Sequence, residues 1–213
     1  MHTKFIEEET KYTGNELAPH WIYKNFRLQG DAIVAFVGEC EVKLTEMVDI
    51  EDVINQEPIY AKKMLNFIVE NFNIGLVEGV VRQRLLMCII KEVLEKELKN
   101  IPVTRDGDDL FVNGKKLSVS IATKSLTSVL MNIGLNIDPS GAPIDAIGLD
   151  FLKIRDVKGF AKQIMLKYSE EIDDIRSKSI SKTLQFIIYM TSIFKAYIKV
   201  KYLMEDLQWQ KLL

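Results

Sequence analysis

The chain is poor in the residues that build metal and redox sites. Its 213 residues include two cysteines, Cys40 and Cys88, and two histidines, His2 and His20. Without a CxxC spacing, a disulfide framework is not expected, and a reducing, cytoplasmic setting is. A zinc site of ordinary composition would lack its ligands. Five prolines and eleven glycines leave no low-complexity linker. Charge of one sign is also missing: 28 Lys and Arg against 30 Asp and Glu give a net −2. No global field recruits nucleic acid or an acidic membrane, and no basic stripe with interleaved aromatics appears, so nucleic acid is not expected as a partner. Long apolar runs are absent too. The opening "MHTKFIEEET" is acidic and unlike a signal peptide, and the uncharged run over 183–194 is too short for a transmembrane segment. What is present is ordinary globular composition, 47% hydrophobic and 27% charged, in a chain long enough to bury a core.

Periodicity divides the chain into elements. "KYTGNELAPHWIY" (11–23) is turn-rich and carries His20 and Trp21. "DAIVAFVG" (31–38) is an apolar run of strand length, and "CEVKL" (40–44) alternates as if to continue the sheet. "PIYAKKMLNFIVENF" (58–72) sets Met64, Leu65, Ile68, Val69 and Phe72 at helical spacing and predicts a helix. A longer helix is expected over 77–98, with Leu85, Leu86, Ile89, Ile90, Val93 and Leu94 on one face, stopped by Asn100 and Pro102. "VKGFAKQIMLKYSEEIDDI" (157–175) reads as a helix, and the tail over 177–213 as a helical extension of unusual apolarity. That tail suits an amphipathic packing helix, a homodimer helix, or an interfacial membrane helix.

The chemistry concentrates in "RDGDDLFVNGKKLSVSIA" (105–122). Asn113-Gly114 supplies the two φ > 0 residues of a type I′ hairpin turn. That register sets Val112 opposite Lys115 and Phe111 opposite Lys116, and predicts a core face of Leu110, Val112, Leu117, Val119 and Ile121, covered by helix. The other face would carry Asp109, Phe111, Lys116, Ser118 and Ser120. In "TSVLMNIGLNID" (127–138), Ser128, Asn132, Gly134 and Asn136 likewise alternate with aliphatics. Short polar side chains beside one lysine and one carboxylate leave room for a small ligand over the sheet; a solvated outer face is the competing reading. His20 and Trp21 could line such a site, and Arg84, next to Gln83 on the second helix, could grip an anion. Asp106, Asp108 and Asp109 could hold a nucleotide-bound magnesium, or simply form a solvated turn. Asp145 is a weaker loop candidate.

These residues carry a resemblance. "RDGDDLFVNGKKLSVSI" resembles the block of the biotin and lipoate protein ligases that runs lysine-tryptophan-proline-asparagine-aspartate, strand, lysine. Arg105 falls on the block's first lysine, Asp108 on its asparagine and Asp109 on its aspartate. Lys116 falls on the lysine that those enzymes use on the substrate carboxylate and adenylate. "VLMNIGLNID" is similar to their following strand. "GNELAPHWIY", "LQGDAIVAF", "EMVDIEDV", "RDGDDLFVNGKKLSVSIAT", "IGLNID" and "DAIGL" resemble an uncharacterised prokaryotic family, domain-of-unknown-function family 366. The resemblance reaches to about Arg176. It implies the class II synthetase and biotin-ligase fold: α+β, a mixed, mostly antiparallel sheet with helices on one face, over 1–176, followed by the 177–213 extension. It implies a small-molecule carboxylate or nucleotide as ligand, with ATP and magnesium as cofactors, Lys116 in the catalytic position, and Arg105, Asp108 and Asp109 near nucleotide or metal. Two departures stand out. No GRGRxG-like loop is present, "VGECEVKLTEMVD" lying roughly in its place, and Val119 replaces a glycine. A ligase-like or acyl-transfer activity and a non-catalytic binding or assembly role on the same scaffold both follow from this pattern.

Overall fold

A computed structural model describes residues 1–43, 59–99 and 101–210, with side chains followed to residue 199. The expected loop counterpart in "VGECEVKLTEMVD", the motif "EMVDIEDV" and the helix stop at Asn100 lie wholly or partly outside the described residues. Contacts group the chain into two units, Met1–Glu170 and Glu171–Leu213.

In the first unit, β1 (His2–Phe5), β2 (Ala32–Val42), β3 (Ile59–Phe72), β7 (Ser118–Lys124) and β8 (Ser128–Asp138) form one sheet, in the order β1-β2-β3-β8-β7. Only β1 and β2 run parallel. A second sheet joins β4 (Val103–Asp106), β5 (Asp109–Val112) and β6 (Lys115–Lys116). The helices are α1 (Trp21–Phe26), α2 (Leu76–Leu98) and α3 (Val157–Gln210), the last unbroken from one unit into the next. The architecture is α+β and mostly antiparallel.

The helix predicted over 58–72 is instead strand β3. It pairs with β2 on one side and β8 on the other, and both its faces are buried. A strand covered on both faces has no reason to alternate polar with apolar, so its sequence becomes a near-continuous apolar run. In such a run the 3.6-residue spacing of Met64, Leu65, Ile68, Val69 and Phe72 arises by density alone.

Helix α2 covers one face of the large sheet. A Cβ on Gly79 would fall 2.4 Å from Val129 Cγ1, and Gln83 Nε2 donates to Ser120 Oγ at 2.6 Å. The pairing Ser120↔Ile133, Ile133↔Phe67 and Phe67↔Ala35 carries this face across four strands. The opposite face holds a core of Phe36, Met64, Ile68, Ile22 and Tyr12, with Trp21 and Val119 packed against it. The Trp21 and Phe36 ring centroids are 6.1 Å apart. The short helix α1 therefore lies across the sheet from α2. The long helix α2 thus covers one face, and the short α1 with the N-terminal segment packs on the other.

The stretch 10–12 runs along the edge of β2: Thr10 N–H donates to Val37 O at 3.0 Å and Tyr12 N–H to Glu39 O at 2.8 Å. This approach requires Gly38, where the β2–β3 register shifts. A Cβ there would lie 2.0 Å from the Thr10 carbonyl oxygen. Backbone cannot swing aside as a side chain can, so Gly38→Ala should cost about 1–3 kcal/mol. A thermal melt should show a midpoint lowered by several degrees; an unchanged midpoint would mean that 10–12 moves off β2 freely.

Candidate functional site

The hairpin forms as its turn chemistry dictates. Asn113 and Gly114 take φ 53° and 75°, Val112 pairs with Lys115 and Phe111 with Lys116. Leu110, Val112 and Leu117 are buried. The expected single strand over 115–122 does not form. Residues 115–116 pair with β5 in the small sheet, while 118–124 pair with β8 in the large one, so the chain changes sheets at Leu117. The handover is held by Leu117 N–H to Leu110 O at 2.8 Å and by Leu110 N–H to Ser118 Oγ at 2.8 Å.

This change of sheet corrects the predicted faces. Ser118 and Ser120 lie on the α2 side with Leu135 and Ile133, whereas Asn132 and Gly134 pair with Ile121 and Val119 on the far side. Val119 and Ile121 are half-buried and face away from α2, not toward it. The two short-polar stripes thus sit on opposite faces and do not combine into one pocket wall. The physical reason is pairing register: β7 sets its serines against β8's aliphatics, so the polar residues of the two strands are out of phase.

The candidate residues divide into three groups. On the α2 side, the Asp108 carboxylate accepts from Gln83 Nε2 at 2.9 Å and from Ser120 Oγ at 3.1 Å, with Arg84 Nη2 at 3.5 Å. Arg105 instead donates to the carbonyl of Gly107. On the far side, Asn132 Nδ2 donates to Asn66 Oδ1 at 3.4 Å, and Asn136 Nδ2 to the Lys116 carbonyl at 3.4 Å. His20, at φ 61°, stacks on Phe72 with centroids 5.6 Å apart, and its N–H donates to Glu70 Oε1 at 2.8 Å. His20, Trp21, Asn132 and Asn136 therefore share this face. In the small sheet, Lys116 Nζ lies 2.8 Å from Asp109 Oδ2, the two side chains 27% and 30% exposed.

The sequence reading missed three features. Glu70 is buried and also accepts from Ser128 Oγ at 2.7 Å. Asn66 is buried, and its Nδ2 meets no hydrogen-bond partner among the described residues, a deficit of about 1–3 kcal/mol that a bound acceptor would remove. Both follow from "LNFIVENF" once it is read as a doubly buried strand. The third is an open cleft of about 460 Å³ on the Lys115 side of the hairpin. Ile137, Ile147 and Phe151 line it, with Lys115, Asp138 and Asp150 as its charged groups. Lys115 is paired there with Asp145 at 2.9 Å. The loop "PSGAPIDAIGLDFL" that shapes it offers no periodic signal.

Burial pushes the Cys40 thiol up to about 12, so it is neutral and unreactive near pH 7. Among the described residues, no cluster of three or more His, Cys, Asp or Glu side chains is grouped as a metal site would need. Asp108 turns to Gln83 and Ser120 while Asp109 turns to Lys116.

A model of the family described as DUF366, a domain of unknown function, matches residues 1–184. The chain belongs to this family. An uncharacterised protein of Methanocaldococcus jannaschii is 40% identical over 193 residues, covering 88% of this chain and 86% of its own. A solved structure of a Pyrococcus horikoshi protein of unknown function is 39% identical, with a TM-score of 0.79 over 84% of this chain and 95% of that one. Biotin protein ligase from Aquifex aeolicus, solved with biotin and ATP, superposes at a TM-score of 0.55 and 16% identity, covering 83% of this chain and 72% of the ligase. At that identity the likeness establishes a shared ligase-like fold for this DUF366 chain.

Asp109 allows a test of the handover site. Burial raises its carboxyl above the ordinary aspartate value, and the Lys116 ammonium offsets part of that rise. The folded chain thus holds the Asp109 proton more tightly than the unfolded chain does. Its contribution to stability is fully present below the unfolded value and is lost as pH rises through the raised folded value. Melting wild type and Asp109→Asn across that range should give a stability difference that drifts with pH just above the ordinary aspartate value and is flat beyond it. A difference independent of pH would show that the folded chain holds the Asp109 proton no more tightly than the unfolded chain does.

Proposed function

We propose that this DUF366 protein binds a small carboxylate through Lys116, on a scaffold of the ligase type. The observation that carries the reading is the half-buried Lys116 ammonium, held by Asp109 where the two sheets exchange the chain. It stands in the stretch that resembles the ligases' substrate-binding block. A ligand carboxylate would take the place of the Asp109 oxygen as the partner of a partly desolvated cation, an exchange that needs little reorganisation. Asn66 Nδ2, on the adjoining sheet face, offers a donor to the rest of such a ligand. Arg84, half exposed beside Asp108, is the nearest candidate for a nucleotide phosphate. Activation of the carboxylate with ATP is the ligase-like extension of this reading. Binding without chemistry is its non-catalytic form.

A second reading is favoured by the cleft beside Lys115, whose apolar floor and rim cation also suit a carboxylate with a hydrocarbon body. The two are separated by titrating biotin, lipoate and octanoate, each with and without ATP, into wild type, Lys116→Met and Lys115→Met. Methionine keeps much of the stem and removes the charge. If Lys116 is the anchor, Lys116→Met should lose roughly 2–5 kcal/mol of affinity while Lys115→Met keeps it. Loss at Lys115 alone would move the ligand to the cleft. Equal affinities for all three proteins, or no binding of any acid to wild type, would end the Lys116 reading.

A further inference from the structure

The second unit, Glu171–Leu213, carries a surface that the ligase-like fold does not account for. Helix α3 continues through it to Gln210, and from residue 177 to 199 every side chain is exposed. At about 100° per residue, Ile180, Leu184, Ile187, Phe194 and Ile198 fall within roughly 40° of one line along the helix. One flank of that line continues apolar with Phe186 and Met190. The opposite line carries Lys178 and Lys182 together with Tyr189 and Ile193, and the other flank Lys195 and Lys199 together with Ile188. Phe194 is 62% and Phe186 63% exposed.

The hydroxyls that interrupt the apolar half are internally satisfied. Ser179 donates to the Ile175 carbonyl at 2.8 Å, Thr183 to Ser179 at 2.9 Å and Thr191 to Ile187 at 2.8 Å. These bonds to the preceding turn leave little polarity to desolvate, so the apolar half can enter a hydrocarbon environment almost without unmet donors. Charge on this segment has one sign. Between Ser177 and Met204 the sequence holds Lys178, Lys182, Lys195, Lys199 and Lys201 and no Asp or Glu. The family match ends at residue 184, so most of this stretch lies beyond it.

We propose that the 177–199 segment of α3 is an interfacial helix that lies on the surface of an anionic lipid bilayer. Its lysines would meet the headgroups and its Ile, Leu and Phe side chains the upper acyl chains. Two features favour this occupant over a second copy of the chain. The apolar half of the helix is far wider than the narrow a/d seam of a coiled coil. Two such helices would also bring lysines to lysines, with no carboxylate on this segment to form the flanking pairs that fix partner and register. An anionic surface supplies the missing charge along the whole segment. Lying on the bilayer rather than crossing it agrees with the helix sequence: among the described residues, no helix is long and apolar enough to cross a membrane.

The test uses the full chain with two sets of sedimentable vesicles, one of phosphatidylcholine alone and one with about a third phosphatidylserine. Wild type should partition onto the anionic vesicles and much less onto the neutral ones, and added salt should release it. Lys178, Lys182, Lys195 and Lys199, all changed to Gln, should weaken partitioning by roughly a thousandfold. Phe186→Ser with Phe194→Ser should abolish it while leaving the charge in place. Thermal melts of both variants report whether the rest of the chain stays folded. The substitutions fall on exposed helix positions, and Lys62→Gln, outside the segment, controls for the loss of a lysine elsewhere. Partitioning that is equal on neutral and anionic vesicles, that survives either multiple variant, or that is lost equally in Lys62→Gln would overturn the proposal. So would a chain that stays in solution with both lipids, including one that forms dimers in sedimentation velocity.

Discussion

Strand β3 is paired with β2 and β8 at once from Met64 to Glu70 and is buried on both faces from Met64 to Asn71, and the first unit is arranged around that condition. A strand so placed must find a partner for every backbone group in the sheet and for every polar side chain in whatever packs above and below. Glu70, within it, is satisfied by the His20 N–H and by Ser128, which ties the turn-rich N-terminal segment and β8 to the same carboxylate. Asn71 accepts from Arg82 Nη1 at 2.7 Å, and Arg82 pairs with Glu78 at 2.5 Å, which fastens the start of α2 to the end of β3. The polar residues of β3 are thus the fixed points from which both covering layers hang. Among the described residues, Nδ2 of Asn66 and Nδ2 of Asn71 both lack a hydrogen-bond partner, and Asn66 faces the layer that also holds His20, Trp21 and Asn132.

The second organising feature is the exchange of sheets at Leu117. One continuous strand would have aligned Lys116 with Ser118 and Ser120 on a single face. Splitting it puts Lys116 in the small sheet, where Asp109 neutralises it, and lets Asn136 of the large sheet reach the Lys116 carbonyl. The lysine therefore stands at the seam between the two sheets. A seam of this kind suits binding. It offers polar groups from several elements without requiring any one strand to leave its backbone unpaired. The Asp108 cluster is internally satisfied, which makes it a brace for the hairpin more than a set of vacant ligands.

The sequence by itself determined whatever is decided locally. Asn113-Gly114 sets the hairpin because only a φ > 0 pair closes a two-residue turn with the right twist. The α2 pattern is legible because only one side of that helix is buried, so its 3.6-residue period survives in Leu86, Ile90, Val93 and Leu94. The resemblance to a ligase-like family is carried by short stretches whose local order needs no knowledge of packing. Tertiary structure alone decided the rest. It made β3 a strand, since burial on both faces erases the alternation that distinguishes strand from helix. It put the serines of β7 and the asparagines of β8 on opposite faces, since register between strands is set by pairing and no single strand encodes it. It also formed the cleft beside Lys115 from a loop without periodicity, whose shape depends on where its backbone docks: Ile147 N–H on the Lys116 carbonyl at 3.0 Å and Leu149 N–H on that of Asn136 at 2.8 Å.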